Sequence, residues 1–261
     1  MLAAGLGAEM FAVEPRRVQV TRHDVRVPGL GPALDGLRIA QVADVHLPAN
    51  RAAVDRAAAL LAAERPEIVV FTGDQCEIAD GVGELVAFVR EVRGTVATLA
   101  VLGNWDYRGG TVGDVAHRAY AEAGATLLVN EHAIVSVGGA GLAFVGVDDV
   151  LSGRADLRAA AAGVSDDVSV IAVVHEPGVA DEPMPAGVAA PAFTLSGHTH
   201  GGQIRIPGLP AFTPIGSGRF VAGWYTAAIG RLYVSRGIGT ADIRARLLCP
   251  PELPIFTLRR G

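Results

Sequence analysis

The chain of 261 residues contains no lysine, and all 22 of its basic residues are arginine. This absence excludes every mechanism that needs an ε-amine, including the Walker-type phosphate loop, the kinase-type lysine, the Schiff base and the pyridoxal phosphate anchor. Cysteine is scarce as well. Cys76 and Cys249 are too few for a disulfide framework and too far apart in sequence for a zinc knuckle.

Long apolar runs are also missing, since no stretch reaches the roughly 18 apolar residues of a membrane span. The apolar start, residues 1–13, is interrupted by Glu9 and has no basic flank, so the chain as written is expected to be soluble. That start is also compatible with the end of a longer hydrophobic leader. In that case we expect an exported or membrane-associated location.

A basic stripe is absent too. The net charge is −5, and no run of arginines exceeds two residues. Nucleic acids and strongly anionic surfaces favour proteins with a continuous basic stripe, so a general nucleic-acid binder is excluded. Smaller local clusters of arginine remain compatible with this composition.

Half of the residues are hydrophobic, which is enough for a core on both faces of a sheet. From residue 37 short apolar runs alternate with alanine-rich helical patterns, the rhythm of βαβ units; from residue 126 closely spaced strands predominate. The helix predicted over residues 51–64 has clear start and stop signals, with Asn50 as the expected N-cap and Pro66 after its end. Strands are predicted over residues 17–27, 37–43, 68–71, 97–102, 133–137, 142–147, 169–174, 192–195, 203–206, around 225, 232–235 and 255–258, and helices over 51–64, 83–92, 111–123 and 156–162.

Polar clusters directly follow five of the predicted strands. Asp44 and Asp74 are 30 residues apart, and Asn104 follows after another 30, which is about the length of one βαβ unit. Because α/β sheets bind ligands at the carboxyl ends of their strands, we expect the clusters to converge at one edge. The clusters are Asp44-Val45-His46, Gly73-Asp74, Gly103-Asn104, His175-Glu176 and Gly197-His198-Thr199-His200.

The clusters offer carboxylate and amide oxygens and imidazole nitrogens, but no thiolate. This mixture suits Mn, Fe or Zn better than Ca or Mg, and it is large enough for two ions that share a carboxylate. In Asp-x-His and His-x-His, residues i and i+2 of an extended backbone face the same way, so both side chains reach one site. The sequence therefore indicates a metal centre.

With these residues, the sequence resembles the calcineurin-like metallophosphoesterases. The motif set extends over residues 37–200, and the tail, residues 232–240 and 249–252, is similar to a bacterial branch with exported or membrane-associated members. The resemblance implies an α/β fold with four layers, α/β/β/α, built from two mixed sheets with a binuclear metal site at the strand C-terminal ends. Residues 1–34 are then an N-terminal segment that includes an edge strand, and residues 35–261 form the phosphoesterase domain.

The resemblance also implies the roles of the site residues. Two divalent metal ions, of Mn, Zn or Fe, lie roughly 3.5–4 Å apart, bind a phosphate and generate a bridging hydroxide for in-line attack on phosphorus. The substrate is a phosphorylated small molecule or lipid, with peripheral membrane contact and oligomeric state left open. The first ion is held by Asp44, His46 and His200, the second by Asn104, His175 and His198, and Asp74 bridges both; Asn104, Asp106 and His198 are the expected catalytic residues.

One position departs from the family pattern. Where the family usually has Gly-Asn-His, this chain has Gly103-Asn104-Trp105, and an indole N–H cannot protonate a leaving group near neutral pH. General acid assistance is typically worth about 10²–10⁴-fold, so its absence favours leaving groups that need no proton. Asp106 is an alternative proton source if its pKa is raised, and Arg108 with Trp105 are the expected substrate contacts.

The sequence thus favours a phosphohydrolase acting on an anhydride, such as a lipid-linked pyrophosphate resembling UDP-diacylglucosamine. A phosphodiesterase or phosphomonoesterase of broad specificity is the alternative within the same class. A non-catalytic scaffold that binds metal is the alternative outside it, and Trp105 is the argument for that interpretation.

Overall fold

The computed structural model describes residues 2–261, which form two six-stranded sheets packed face to face. The helices are α1 Leu2–Ala8, α2 Arg51–Glu64, α3 Val82–Glu91, α4 Asn104–Arg108, α5 Gly113–Ala123 and α6 Leu157–Ala161. The strands are β1 Gln19–Val27, β2 Arg38–Val42, β3 Ile68–Thr72, β4 Ala97–Val101, β5 Thr126–Leu127, β6 Glu131–Val137, β7 Ala140–Gly146, β8 Ser169–Val173, β9 Phe193–Ser196, β10 Gly223–Ala227, β11 Gly230–Val234 and β12 Glu252–Arg260.

Both sheets are mixed, as the resemblance implies. The first has the order β1-β12-β2-β3-β4-β5, in which β2 to β5 run parallel and β12 is antiparallel to β2. The second has the order β10-β11-β9-β8-β7-β6, with a parallel centre and antiparallel strands at both edges. The predicted fold class is confirmed. The division of the chain after residue 34 stays a prediction.

Two apolar cores hold these layers together. One lies between the sheets, where Phe193 and Phe256 are fully buried, and the other lies between the first sheet and helices α2, α3 and α5. Strand β3 contributes to both, because all five of its residues are buried. A strand that is covered on both faces has a continuous apolar sequence, and this run is the pattern from which β3 was predicted.

The structure differs from the sequence-based predictions in two loops. The predicted strand over residues 203–206 is wrong, since a 3₁₀ turn covers His200–Gly202 and Ile204 makes only an isolated bridge to Leu247. Gly201 and Gly202 there adopt positive φ, which breaks extended backbone. Asn50 precedes α2 but does not cap it; its amide instead donates to the carbonyls of Val45 and Thr240.

Three short elements were not predicted from the sequence: α1, α4 and β5. Helix α1 continues through a π-helical turn, Glu9–Val13, toward the sheet. Among residues 2–261, no helix combines the length and the apolar composition needed to cross a bilayer.

We expect Phe256→Ala to lower the free energy of unfolding by about 3–5 kcal/mol, because the space between the sheets cannot collapse around the lost ring. The Phe256 ring centroid lies 5.0 Å from that of Tyr233 and 5.8 Å from that of Phe193. Denaturant unfolding measures the change. Val96→Ala, at a half-exposed position, is the control and should stay within about 0.5 kcal/mol of the wild type. Equal losses in both variants would contradict this account of the core.

Candidate metal centre

Seven predicted ligands meet at one end of the sandwich, where strands of both sheets finish. The side chains form two groups, and within each group the ligand atoms lie within 4.8 Å of one another. The Asn104 Oδ1 atom lies 3.0 Å from Nδ1 of His198 and 3.2 Å from Nε2 of His175, beside the second group. The first group is Asp44, His46 and His200, and the second is Asp74, His175 and His198.

Asp74 lies between the two groups. Its Oδ2 atom is 3.2 Å from Nε2 of His175 and 3.8 Å from Nε2 of His46. A carboxylate in this position can reach ions in both groups, which agrees with the bridging role that the resemblance implies. All seven side chains are buried.

Sharp turns after the strands aim these side chains. Asp44, His46 and Asp74 in the first sheet, and His198 and His200 in the second, all have positive φ. This conformation is strained for residues with a Cβ atom, and it persists only where the surrounding structure holds it. Such clustered strain is typical of functional sites.

Glycines that precede the ligands allow the backbone of each turn to approach a ligand carboxylate closely. A Cβ atom added at Gly103 would lie 2.5 Å from Oδ1 of Asp74, and one at Gly197 would lie 2.7 Å from Oδ2 of Asp44. Both distances are far below van der Waals contact. The glycine in each motif is therefore required by the close approach of the ligand carboxylates.

Hydrogen bonds on the outer side of the ring fix the tautomers of His175 and His198. Nδ1 of His175 donates to the Thr72 carbonyl at 2.8 Å, and Nε2 of His198 donates to the Ile215 carbonyl at 2.7 Å. His46 Nδ1 lies 3.1 Å from the Glu77 carboxylate. Because the outer nitrogen of His175 and of His198 donates to a carbonyl, the inner nitrogen of each neutral ring presents a lone pair to the centre.

The inner atoms of the centre are therefore acceptors that face acceptors. Nε2 of His46 lies 3.0 Å from Nε2 of His200, and Nδ1 of His198 lies 3.2 Å from Nε2 of His175. Oδ2 of Asp44 is buried without a hydrogen-bond partner among the described residues. Opposed lone pairs and carboxylates repel unless cations lie between them, so these residues fit divalent metal ions.

Titration behaviour agrees with this chemistry for three of the ligands. His175 differs, because the Asp74 carboxylate outweighs burial and raises the pKa of its ring well above the ordinary value; a cation would have to displace that proton. Burial raises the pKa of Asp44 to about 6, and burial together with His175 lowers the pKa of His198 to about 4. Burial also holds the pKa of His200 well below its ordinary value. Near neutral pH, His198 and His200 are thus neutral nitrogen donors, which is the form that binds metal.

The structure places Asp106 behind the turn that carries Asp74. The two carboxylate oxygens of Asp106 accept backbone N–H groups of Gly103, Asp74, Gln75 and Cys76, at 2.9 to 3.1 Å. Although burial raises the pKa of Asp106 to about 7, the group faces the backbone and not the cavity. The expectation that Asp106 protonates a leaving group finds no support in this geometry. Asp106 instead ties the turn after β3 to the start of α4.

Trp105 and Arg108, both on α4, stand at the mouth of the centre. The Arg108 guanidinium lies 5.0 Å from the centroid of the Trp105 ring, which itself meets His46 edge-on at 5.7 Å. Both residues line a cavity of about 530 Å³ that also contains Asp74, His198 and His200. The two predicted substrate contacts are thus beside the predicted ligands.

Glu77 is a site residue that was not predicted from the sequence. Its carboxylate meets His46 on one side and the Arg244 guanidinium on the other, at 2.6 Å. A carboxylate behind a ligating histidine is a common arrangement that raises the basicity of the ring. The signal was present, because Glu77 follows Asp74 by only three residues, but the sequence does not show which histidine it would meet.

The architecture and the centre are those of a binuclear metallohydrolase, and comparison with known proteins identifies the family. A family model, the calcineurin-like phosphoesterase superfamily domain, matches residues 37–217. The chain therefore belongs to the calcineurin-like phosphoesterases. It is a hydrolase of phosphoesters that uses divalent metal ions.

Curated relatives agree with this family. The chain is 29% identical over 255 residues to the uncharacterized metallophosphoesterase YkuE of Bacillus subtilis. This match covers 95% of this chain and 87% of that protein. The chain is 25% identical over 260 residues to the phosphodiesterase YaeI of Escherichia coli, covering 95% and 91%. A shorter match, 33% over 101 residues, is to the UDP-2,3-diacylglucosamine pyrophosphatase LpxG of Chlamydia muridarum, covering 36% of this chain and 30% of that protein.

We expect metal removal to destabilise the protein, because it leaves opposed acceptors without a cation. An ion present at 100 times its dissociation constant stabilises the fold by about 2.7 kcal/mol, which corresponds to a loss in Tm of about 5–10 °C on chelation. Calorimetry with and without a chelator measures this, and added Mn²⁺ or Zn²⁺ should restore the Tm. In an Asp44→Ala/Asp74→Ala variant the chelator should have little effect. An equal drop there would show that the chelator acts elsewhere.

We expect Glu77→Ala to weaken metal binding by roughly 10–100-fold, because His46 loses the carboxylate that lies 3.1 Å from Nδ1 of its ring. Chelator competition measures the affinity. Glu77→Gln keeps an acceptor oxygen and should lose less. Glu84→Ala, which removes an exposed carboxylate paired with Arg51, is the matched control. Wild-type affinity in Glu77→Ala would exclude the orienting role.

Proposed function

We propose that this protein hydrolyses a phosphoanhydride, such as a nucleotide-diphosphate lipid resembling UDP-diacylglucosamine. In this proposal Asp44, His46 and His200 hold one ion, and Asp74 is shared with the second group. Asn104, His175 and His198 complete that second group. Bound Mn, Zn or Fe ions would supply Lewis acidity toward the phosphate and lower the pKa of an attacking water.

The observation that carries the proposal is the lack of a proton donor at the mouth of the cavity. The titratable side chains that line it, among the described residues and apart from the ligands, are Arg108 and Asp242. An arginine guanidinium does not act as a proton donor in proteins, and Asp242 is exposed to solvent. The Trp105 indole replaces the usual histidine and cannot act as an acid. A departing phosphate group needs no proton, whereas an alkoxide does.

Two further features support an anhydride. Arg108 is exposed at the cavity and carries five N–H donors in a geometry that matches phosphate oxygens. In a chain without lysine, arginine is the residue that can add positive charge to a second phosphate. The local similarity to a protein named as a pyrophosphatase of a diacylated sugar nucleotide is consistent with this substrate class.

A phosphodiesterase of broad specificity is a second candidate, favoured by the similarity to the phosphodiesterase YaeI over most of both chains. A non-catalytic scaffold would also explain Trp105. The two complete ligand groups argue against that scaffold, because docking alone does not require strained backbone at five ligand positions.

We expect Trp105→His to raise kcat/KM for alkyl phosphodiesters by roughly 10²-fold or more, because it restores a leaving-group acid. Hydrolysis of a pyrophosphate substrate should change little. Trp105→Phe, which adds no proton donor, is the control and should not gain esterase activity. A wild-type enzyme that cleaves alkyl diesters as fast as anhydrides would contradict the proposal.

The scaffold interpretation has its own test. Metal analysis of the purified protein, followed by assay with bis(p-nitrophenyl) phosphate and a pyrophosphate diester in Mn, Zn and Fe forms, separates the classes. Turnover that disappears in Asp74→Ala supports an enzyme. Bound metal without turnover in any form supports the scaffold.

A further inference from the structure

Exposed apolar side chains are concentrated in three segments of the chain. Among the residues whose side chains the structure describes, fourteen large apolar residues are exposed, and nine of them lie in these segments. Phe212 and Ile215 are 84% exposed, and Leu209 is 63% exposed. Isolated exposed leucines are ordinary, but a concentration of this kind marks an interaction surface. We name it the apolar rim; it comprises Leu6, Phe11, Val13, Ile206, Leu209, Phe212, Ile215, Ile243 and Leu248.

Backbone contacts bring the three segments together. The amide of Arg246 donates to the Met10 carbonyl at 2.9 Å, and the amide of Leu248 donates to the Glu14 carboxylate at 2.9 Å. The amide of Arg205 donates to the Leu247 carbonyl at 2.8 Å. Residues 246–249 therefore lie between the N-terminal helical segment and the loop that begins at residue 204.

The apolar rim is continuous with the mouth of the metal centre. Phe212, Ile215 and Ile243 line the same cavity as His198 and His200. The Ile215 carbonyl also accepts the hydrogen bond that fixes the His198 ring. The rim and the centre thus open toward the same side of the molecule.

The long loop of the apolar rim lies in a stretch of sequence without carboxylates. Between Glu182 and Asp242 the sequence has four arginines and no aspartate or glutamate, although the whole chain has a net charge of −5. Arg205, beside Ile206, is exposed and has no ion-pair partner among the described residues. Two carboxylates border the rim: Glu9, which pairs with Arg17, and the exposed Asp242. An apolar loop with an unpaired arginine at its border complements anionic headgroups.

We propose that the apolar rim docks on the surface of a bilayer that contains anionic lipids, with the mouth of the metal centre facing the headgroups. The rim side chains enter the boundary between headgroups and acyl chains, and Arg205 stays at the level of the lipid phosphates. A fluid surface suits a glycine- and proline-rich loop, because it demands no fixed complementary shape. The proposal deepens the proposed function, since docking would give the centre access to a phosphorylated headgroup in the membrane.

Vesicle flotation with the full, metal-loaded chain tests the docking without measuring turnover. We expect binding to phosphatidylcholine vesicles that contain phosphatidylglycerol, with weaker binding to pure phosphatidylcholine and weaker binding at high salt. Leu209→Ser/Leu248→Ser should reduce binding by at least about tenfold, since each exposed leucine would lose its apolar burial in the membrane. Arg205→Gln should reduce the preference for the anionic lipid.

Ile134→Ser/Val96→Ser is the matched control, because both residues are about half exposed and lie outside the apolar rim. It should bind vesicles as the wild type does. The proposal is overturned if the wild type does not float with anionic vesicles, or if both double variants bind equally. It is also overturned if sedimentation shows a dimer that Leu209→Ser/Leu248→Ser dissociates, since a second copy would then cover the rim.

The wild-type lipid preference stands even if a variant fails to fold. Vesicle binding and anhydride hydrolysis are separate measurements, so each proposal can fail alone. Docking without anhydride hydrolysis would refute only the proposed function. Hydrolysis of soluble pyrophosphates without docking would refute only the membrane inference.

Discussion

The structure depends on a buried volume in which acceptor atoms face acceptor atoms. The inner nitrogens of His46 and His200 are 3.0 Å apart, and Asp74 lies between two histidines of different groups. Such a volume costs free energy unless cations occupy it, and side chains that could relax would turn away. The surrounding backbone prevents that turn. The Thr72 and Ile215 carbonyls hold the outer side of the rings, and Asp106 holds the turn that carries Asp74.

Arg246 supports the first group of ligands from the side of His200. It is fully buried, and its guanidinium donates to the carbonyls of Gly239, Cys249 and Arg236. No carboxylate among the described residues forms an ion pair with it; carbonyl dipoles surround the charge instead. Its nearness contributes, after burial and His46, to the lowered pKa of His200. One arginine thus fixes a loop by hydrogen bonding and keeps a neighbouring histidine neutral.

Much of the fold and of the ligand set could be predicted from the sequence, because both depend on patterns of neighbouring residues. Buried strands such as β3 read as continuous apolar runs, and the polar clusters follow them at the spacing of βαβ units. The roles of Asp106 and Glu77 could not be read in the same way. Asp106 accepts from four amides, three of which lie about 30 residues away, and Glu77 meets Arg244 from a distant loop. Such partners are set by tertiary packing. The strand predicted over residues 203–206 failed for a local reason, since the positive φ of Gly202 and Gln203 overrides apolar alternation.

The candidate metal ligands come from both sheets. Asp44, Asp74 and Asn104 follow strands of the first sheet, whereas His175, His198 and His200 follow strands of the second. The amide of His198 also donates to the Asp44 carboxylate at 2.8 Å. Bound ions would therefore cross-link the two halves of the chain at one end of the sandwich, and that cross-link could form only after both sheets had met.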